Sequence, residues 1–295
     1  MSLTVPSPAG GDMTAEAFLA RAPEVRLLNL RVEAIVDSGT ATRTLSLGGD
    51  DLATFAYRPG QDVMVLADTS GGRIIRRRYT IRRFDPGART LDLHVITDSE
   101  GPGAAWALAL KVGDPVEVLG PRGKIFLSPD AAWHLFIGDD VALPAFSAMV
   151  EALPAGSRAI VLAEVAAPVD EVAPAAAAGV DLSVTWLHRH ADHDNGAIEG
   201  EGRPQVGPGS GAGVADGDGR SAGTADALLA AVLAAPLPHG DGHAYVFGEA
   251  GVVSTVAEAL RGRGLPVERI SAKAYWGRGR ANASHGEPLK TPPPA

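Results

Sequence analysis

The stretch "WHLFIGDD" (133–140), followed by "LPAFSAMVEALP" (143–154), marks the point where the chain changes its pattern. An apolar run ends in a Gly-Asp turn, and a segment of helical character comes directly after it. The same pattern continues along the chain: strands are predicted over residues 158–165, 182–189, 243–251 and 269–276, and helices over residues 169–179 and 252–264. Apolar strands that alternate with helices are typical of a parallel α/β sheet.

The residues before position 130 follow a different pattern. Short segments alternate polar and apolar side chains, and turn signals such as "YRPGQ", "DPGA" and "GPRG" separate them. The segments are residues 31–37, 42–49, 61–68, 77–84, 90–97 and 114–120. Strands at this spacing predict a small antiparallel barrel. Residues 101–110 are an exception, because their Ala, Leu and Trp content predicts a short helix that opens at a glycine-rich turn. The predicted fold class is therefore β plus α/β, an antiparallel β-barrel followed by a parallel α/β domain.

The domain boundary is predicted near residue 129. Residues 25–129 are expected to form the barrel domain and residues 130–288 the α/β domain. Residues 191–223 are rich in Gly, Asp and Ser, have little apolar content, and are interpreted as a flexible insertion in the second domain. The two remaining segments, an N-terminal tail and a disordered C-terminal tail, are residues 1–24 and 289–295.

The composition excludes several classes of function. A net charge of −9 argues against broad binding to nucleic acid or to an anionic membrane. The chain has no cysteine, which excludes disulfides, thiol catalysis and a cysteine-ligated iron–sulfur cluster. A redox function would therefore need an organic cofactor or a metal held by other ligands. We expect a cytoplasmic protein, because the N-terminal residues do not resemble a signal peptide and no apolar stretch of about 18 residues is present.

Histidines and aspartates flank the predicted insertion and raise the question of a metal site. We interpret them as part of a solvated loop, because nothing in the segment would hold metal ligands rigidly. No metal is therefore predicted. The residues concerned are His188, His190, Asp192, His193 and Asp194.

The stretch "RRRYTIRRF" (76–84) places five arginines around a Tyr-Thr pair in an acidic chain. One interpretation is a charged edge strand that protects the sheet against aggregation. The other is a local anion site, in which the guanidinium fork of Arg77 binds a diphosphate. The stretch by itself favours neither interpretation, and the neighbouring motifs favour the second.

The order of several motifs resembles that of a known family. "RRYT" (77–80) is similar to the Arg-x-Tyr-Thr/Ser flavin-binding motif of the ferredoxin-reductase superfamily. Six further segments resemble, in order, the motifs of siderophore-interacting proteins: "GPGAAWA" (101–107), "GPRG" (120–123), "GDDVALPA" (138–145), "VTWLHR" (184–189), "FGEAG" (247–251) and "KAYWGRGRANASHGEP" (273–288). The resemblance implies an FAD-containing ferric-siderophore reductase in which NAD(P)H reduces the flavin and the flavin passes single electrons to ferric chelates.

The resemblance also implies a set of FAD-binding residues. The Tyr79 ring would lie on the isoalloxazine, the Thr80 hydroxyl would bond near its N5 edge, and residues 273–288 would close over the cofactor. Gly101 and Gly103 open a helix whose N–H groups and dipole favour a diphosphate. Trp106 would cover the adenine or pack in the core, and packing is preferred. The full predicted set is Arg77, Tyr79, Thr80, Thr97, Gly101, Pro102, Gly103, Ala104, Trp106, Tyr275 and Trp276.

A second set of residues is expected to bind NAD(P)H at the carboxyl ends of the parallel strands. This set is Gly138, Asp139, Asp140, Arg189, Gly248 and Glu249. The choice of nucleotide stays open at this point. Carboxylates after the second α/β strand, at Asp170 and Glu171, would suit the 2′-hydroxyl of NAD, whereas Arg189 and His190 would suit the 2′-phosphate of NADP.

The substrate expected from the resemblance is an anionic ferric siderophore. Lys273, Arg278 and Arg280 are predicted to stand near the flavin and to attract it. Two alternatives remain. One is a ferredoxin-reductase-like flavoprotein that exchanges electrons with a protein partner, with ferredoxin as a candidate electron source. The other is a siderophore-binding, iron-handling protein with little reductase activity.

Overall fold

The computed structural model describes residues 4–6, 12–14, 25–68, 75–99, 101–189 and 225–277. Within these residues a closed barrel of antiparallel strands is followed by a five-stranded parallel sheet with helices on both faces. The predicted fold class is confirmed. The predicted insertion at 191–223 and the C-terminal tail lie outside the described residues. Near the N-terminus two short strands, β1 (Thr4–Pro6) and β2 (Asp12–Thr14), pair in antiparallel fashion.

Six strands form the barrel, and all six were predicted from their alternating pattern. They are β3 (Arg26–Ser38), β4 (Thr42–Gly48), β5 (Asp62–Asp68), β6 (Ile75–Asp85), β7 (Thr90–Ile96) and β8 (Pro115–Arg122). Their order around the barrel is β3-β4-β7-β6-β5-β8, and β8 closes it by pairing with β3. Every second residue of β7 is buried, as expected for a strand with one face toward the barrel interior. Helix α1 (Pro102–Ala109) follows β7 and packs Ala107 against the barrel core.

The arginine-rich strand is not a sheet edge. β6 pairs with β5 on one side and with β7 on the other. Because the barrel is closed, this strand has no unpaired side that would need protection from aggregation. The edge-strand interpretation of residues 76–84 is therefore wrong.

The second domain is a doubly wound sheet. Its strands are β9 (Trp133–Asp139), β10 (Arg158–Val165), β11 (Asp181–His188), β12 (Gly242–Glu249) and β13 (Ile270–Trp276). They are parallel and lie in the order β11-β10-β9-β12-β13. The order reverses between β9 and β12, and ligands of such sheets bind outside the carboxyl ends of the strands at this switch point.

Helices cover both faces of the parallel sheet. Helix α2 (Leu143–Glu151) packs on one face, where Phe136 and Phe146 belong to one apolar cluster. Helices α3 (Ala225–Ala234) and α4 (Ala250–Gly262) cover the other face, where Leu228 and Val256 belong to a second cluster. All residues of β9 are buried, which explains its continuous apolar sequence.

Within the described residues, one predicted helix is absent and one observed helix was not predicted. The helix predicted over residues 169–179 does not form: Pro168–Asp170 is a single turn of 3₁₀ helix, and residues 171–177 have no regular structure. Pro174 explains this, because proline lacks the N–H that a helix needs and forces the preceding residue out of helical geometry. Helix α3 was missed, although Leu228 and Val232, four residues apart, are both buried in one cluster.

Several polar contacts join the barrel to the α/β domain, and three of them connect separate parts of the interface. Arg82 of β6 forms a two-pronged ion pair with Glu151 at the end of α2, with N–O distances of 2.9 and 2.5 Å. The backbone N–H of Thr40, between β3 and β4, donates to Oδ1 of Asp170 at 2.6 Å. The third contact joins Lys273 of β13 to Asp62 of β5. A cleft lies between the two domains beside these contacts.

Candidate functional site

The cleft between the barrel and the parallel sheet encloses about 570 Å³, including the part open to solvent. On one wall are outward-facing residues of β4, β6 and β7, and on the other are the turn after β9 and the start of α2. The side chains that line it include Thr42, Arg82, His94, Asp140, Pro144 and Ser147. The cleft therefore lies at the carboxyl ends of the parallel strands, where α/β sheets bind ligands.

Strand β6 and the start of α1 come together beside the barrel. A Cβ atom added to Gly103 would lie 2.6 Å from the hydroxyl oxygen of Tyr79 and 3.3 Å from Cγ of Arg77. Only glycine allows this close approach. The Trp106 ring stacks on the Tyr79 ring at 5.6 Å with an interplanar angle of 15°, and both pack against the barrel core. These contacts favour the interpretation of Trp106 as a packing residue.

The donors in this region suit a diphosphate. Pro102 is the first residue of α1, and Gly103 and Ala104 follow it in the first turn, where the N–H groups of a helix have no intrahelical partner. The helix dipole adds positive character at this end, and the Arg77 side chain adjoins it. The Arg77 guanidinium itself donates to the carbonyl of Arg76 at 3.1 Å. An arginine side chain next to the first turn of a helix is the kind of donor set expected for the diphosphate of a dinucleotide such as FAD.

The other arginines of β6 have separate partners. Arg78 binds both carboxylate oxygens of Asp62, at 2.8 and 2.5 Å, and Arg82 pairs with Glu151. Arg83 is exposed. The five arginines of residues 76–84 are therefore not one uniform patch, and two of them serve internal ion pairs.

Asp62 gathers cations from three strands. Its carboxylate binds Arg78 of β6 and, at 3.1 Å, the ammonium of Lys273 of β13. Burial lowers the pKa of Arg122 on β8, and the nearby charges of Arg78 and Arg76 lower it further. Because Lys273 is only 5% exposed, its charge is directed at Asp62 rather than at a ligand in solvent. The other two residues predicted to attract a chelate, Arg278 and Arg280, lie outside the described residues.

The aromatic pair at the end of β13 reaches both domains. The ring of Tyr275 stacks on Phe247 at 5.4 Å, and its hydroxyl hydrogen-bonds with Thr80 of β6. Burial raises the pKa of Tyr275, and the bond to Thr80 opposes the rise. Trp276 donates its indole N–H to Oδ2 of Asp139 at 2.7 Å. Thr80, Tyr275 and Trp276, predicted from distant parts of the sequence, thus lie together at the mouth of the parallel sheet.

Thr97 was predicted to bind FAD, but its hydrogen bonds in the structure go to the backbone of Ala41. Its backbone N–H and its hydroxyl both donate to the carbonyl of Ala41, at 2.7 and 2.9 Å. These bonds tie the end of β7 to the turn between β3 and β4. The structure therefore gives Thr97 a role in fixing the rim of the cleft.

The two glycines predicted to bind nucleotide are explained by packing. A Cβ atom at Gly138 would collide with the carbonyl oxygen of Phe247. Gly248 has a φ of +136° and approaches the Asp139 carboxylate. Glycine at both positions allows the ends of β9 and β12 to lie close together. The turn after β9 is held in shape before any ligand binds.

Charged side chains line a second crevice at the carboxyl ends of the strands, of about 310 Å³. Arg189, at the end of β11, is 6% exposed and pairs with Asp140, with Glu164 3.6 Å away. Glu249 caps α4, because its Oε2 accepts the N–H groups of Gly251 and Val252 at 2.6 and 3.0 Å. The predicted nucleotide residues Asp139, Arg189 and Glu249 thus line one crevice.

His94 is a cleft residue that sequence reasoning missed. Burial lowers its pKa to about 4, and the charge of Arg82 contributes to the shift. The ring is therefore neutral at physiological pH. The alternation of β7 already indicated that this side chain points away from the barrel core, toward whatever packs outside it.

The described residues contain neither a metal-ligand cluster nor a helix that could span a membrane. In the part of the chain that the structure describes, no group of three His, Asp or Glu side chains has the arrangement of a metal site. His188 pairs with Glu171 at 2.7 Å, and the other histidines and aspartates of the candidate metal site lie outside the described residues. None of the described helices is long and apolar enough to cross a membrane.

Two family models match the chain. Residues 42–125 match the siderophore-interacting FAD-binding domain, and residues 131–201 and 214–279 match the siderophore-interacting protein model. The chain belongs to the siderophore-interacting protein family. Its barrel is the FAD-binding domain of that family, so the Arg77–Gly103 region described above is part of a flavin-binding domain.

Three curated relatives show how far the similarity extends. An uncharacterised Mycobacterium tuberculosis protein is 31% identical over 69% of this chain, which spans 65% of that relative's length. The ferric vibriobactin reductase ViuB of Vibrio cholerae is 30% identical over 40% of this chain and 46% of its own. The NADPH-dependent ferric-chelate reductase of Escherichia coli is 25% identical over 70% of this chain and 68% of its own.

A solved structure shares the whole architecture. The siderophore utilization protein from T. fusca is 27% identical to this chain and superposes with a TM-score of 0.69. The match covers 89% of this chain and 97% of that one. The arrangement of barrel and parallel sheet is therefore that of a solved siderophore utilization protein.

Proposed function

We propose that this siderophore-interacting protein is an FAD-dependent reductase of ferric siderophores that takes its electrons from NAD(P)H and releases iron as Fe(II). The observation that carries the proposal is the contact between Thr80 and Tyr275 at the interface between a barrel and a nucleotide-type sheet, with Arg77 beside the first turn of α1. The relatives named as ferric vibriobactin reductase and NADPH-dependent ferric-chelate reductase support the reaction class.

The residues of the barrel fit FAD. Arg77 and the N–H groups of Gly103 and Ala104 would hold the diphosphate, and Thr80 would hydrogen-bond to the ring system. Tyr79 would support the ring, with Tyr275 and Trp276 covering it from the sheet side. Bound FAD supplies the ability to accept two electrons together and to release them singly.

Two tyrosines of this site are themselves uncharged. Burial raises the pKa of both Tyr79 and Tyr275, so both hydroxyls stay protonated at physiological pH. A protonated hydroxyl can donate a hydrogen bond, and it adds no negative charge near a reduced cofactor or an anionic chelate. The two side chains would therefore orient the cofactor and exclude water from it.

The surface around Asp62 suits an anionic substrate. Lys273 is buried in its ion pair with Asp62, but Arg78 and Arg122 also lie near this carboxylate and Arg76 lies near Arg122, so the cluster has an excess of positive charge. Local positive charge raises the encounter rate with anions even on a protein of net charge −9. Hard oxygen ligands hold Fe(III) more strongly than the softer Fe(II), so reduction of the chelate loosens its iron. The proposed chelate would approach from this side.

An anaerobic titration tests the proposal. FAD-loaded protein is mixed with NADH or NADPH, and a ferric siderophore is added when the flavin absorbance has bleached. We expect one nucleotide to bleach the flavin and the chelate to restore its absorbance, with an Fe(II) indicator reporting the product.

Dithionite serves as the control, because it reduces the flavin without a nucleotide. Dithionite-reduced protein that fails to pass electrons to the chelate would exclude a reductase and favour an iron-handling protein. If only dithionite bleaches the flavin and the chelate restores it, the electron donor is a protein such as ferredoxin.

A further inference from the structure

On the basis of the proposed function, we infer that the crevice at the carboxyl ends of β10 and β11 discriminates against a 2′-phosphate, so that NADH is the preferred electron donor. The two nucleotides differ only in this phosphate on the adenosine ribose. The preference for NADH or NADPH therefore depends on the charge near the site where the adenosine ribose would lie.

The topology indicates that place. The sheet order reverses between β9 and β12, and a dinucleotide bound there extends over the ends of the neighbouring strands. The crevice of about 310 Å³ begins at this switch point, with Asp139, Glu164 and Arg189 in its wall. The ends of β10 and β11 are therefore the natural site for the adenosine ribose.

Arg189 is the described arginine at these strand ends, and its charge is already engaged. Its Nη2 binds Oδ2 of Asp140, and its Nη1 lies 3.6 Å from Glu164. Burial alone would lower the pKa of Arg189, but the attraction of Asp140 prevails and raises it. With 6% of its side chain exposed, Arg189 would have to leave both carboxylates to reach a phosphate.

The second described cation at these ends is a histidine with an acidic neighbour. His188 lies 2.7 Å from Oε1 of Glu171, so any charge on its ring is compensated locally. Asp170 stands beside Glu171 and accepts hydrogen bonds from Thr40 and Ala167. Both His188 and Arg189 therefore already have a carboxylate partner, with which an incoming phosphate would have to compete.

Carboxylates outnumber cations around the proposed ribose site. Among the described residues at the ends of β9, β10 and β11 or shortly after them, there are five carboxylates, one arginine and one histidine. The carboxylates are Asp139, Asp140, Glu164, Asp170 and Glu171. A 2′-phosphate adds a charge of about −2 and is repelled, whereas the 2′-hydroxyl of NADH can donate to a carboxylate.

The first test compares kcat/KM of the FAD-loaded protein for NADH and NADPH. We expect NADH to be favoured by about tenfold or more at low salt, with the ratio falling as ionic strength screens the repulsion. Charge reversal in Glu171→Lys should lower the ratio about three- to tenfold. A ratio at or below unity in the unmodified protein, or a ratio that Glu171→Lys leaves unchanged, overturns the inference.

The matched control reverses a charge at the other end of the same strand. Asp181 begins β11 and pairs with Arg158 of β10 at 3.5 Å, as Glu171 pairs with His188 at the strand's far end. A strand of this length separates the two sites by about 20 Å, which is more than two Debye lengths at physiological salt. Measured at physiological salt, Asp181→Lys should leave the nucleotide ratio unchanged. An equal shift in Asp181→Lys and Glu171→Lys under these conditions would point to a general charge effect and overturn the inference.

A binding measurement separates this inference from the reductase proposal. Calorimetry with 5′-AMP and with adenosine 2′,5′-bisphosphate isolates the 2′-phosphate and needs no electron transfer. We expect 5′-AMP to bind more tightly, and Glu171→Lys to narrow the difference. Equal or reversed affinities, or no binding of either probe, overturn the inference. The reductase proposal is decided independently by the reaction of dithionite-reduced protein with the ferric chelate.

Discussion

The ammonium nitrogen of Lys273 lies 3.1 Å from Oδ2 of Asp62, and the two side chains are 6% and 5% exposed. Lys273 belongs to the last strand of the parallel sheet and Asp62 to a strand of the barrel. Arg78 binds the same carboxylate, so Asp62 is shared between two cations from two domains. The sequence motif suggested Lys273 as a substrate contact, whereas the structure places it in this buried ion pair.

Because Asp62 binds two cations, replacing Asp62 should lower the unfolding free energy more than replacing Lys273. Asp62→Asn leaves the buried Lys273 ammonium facing Arg78 without this carboxylate, and we expect a loss of about 3 kcal/mol of unfolding free energy. Lys273→Met leaves Asp62 bound to Arg78, and a loss of about 1 kcal/mol is expected. Urea unfolding of both variants measures the difference, and a larger loss in Lys273→Met would contradict the assignment.

The proposed diphosphate contact predicts a specific loss of FAD. Arg77→Ala removes charge-assisted hydrogen bonds, each worth about 1.5–3 kcal/mol, so the Kd for FAD should rise by about tenfold or more. Arg83→Ala removes the same charge from an exposed position on the same strand and should change the Kd little. Flavin fluorescence on titration into apoprotein measures both, and equal losses would exclude a special role for Arg77.

His94 predicts a contribution to stability that depends on pH. Burial lowers its pKa from 6.5 to about 4, so between these values the unfolded chain takes up a proton that the folded protein does not. The contribution of His94 to the unfolding free energy is therefore fully present above pH 6.5 and is lost as the pH falls toward 4. Allowing for partial exposure, the loss is about 2 kcal/mol.

The test compares the unmodified protein with His94→Gln, which cannot titrate. Unfolding free energies measured from pH 7 to pH 4.5 should fall more steeply in the unmodified protein, and the difference between the two curves isolates His94 from the carboxylates. Parallel curves would show that the histidine does not carry this dependence.

Gly39 predicts a clash that involves the other domain. Its φ is +60°, and a Cβ atom there would collide with Oδ1 of Asp170. We expect Gly39→Ala to cost about 2–3 kcal/mol, of which about 1 is backbone strain. Gly113→Ala is the matched control, because its φ is +93° and nothing lies within 4 Å of the added atom.

A double variant identifies the source of that cost. In an Asp170→Ala background the cost of Gly39→Ala should fall to about 1 kcal/mol, the value expected of Gly113→Ala. Thermal or urea unfolding of the four proteins measures the coupling. An unchanged cost in the Asp170→Ala background would mean that the two domains do not meet at this point.

The strands were predictable because their signal is local. Alternation along β7 and continuous apolar sequence in β9 each reflect how many faces of the strand are buried. The segment at residues 169–179 shows the limit of such reasoning, because its alanines suggested a helix while Pro174 prevented one. Helix formation there was decided by one residue rather than by composition.

The site was only partly predictable, because its partners are distant in sequence. The motifs placed Thr80 and Tyr275 in one flavin site, and the structure brings their hydroxyls into hydrogen-bonding contact. The pairing of Lys273 with Asp62, 211 positions earlier, has no local signal. Lys273 was predicted to contact the substrate because of the motif in which it stands. It is buried because the fold places β13 against the barrel.

Three of the polar contacts between the domains involve different elements on each side. Arg82, Thr40 and Asp62 belong to separate parts of the barrel, and their partners Glu151, Asp170 and Lys273 belong to separate parts of the α/β domain. Contacts at separate parts of the interface resist rotation of one domain against the other. We therefore expect the space between the domains to be preorganised, so that the proposed ferric chelate must fit the site as it stands. Among chelates of equal charge, we expect bulkier chelates to be reduced more slowly, because their bulk keeps the iron farther from the flavin.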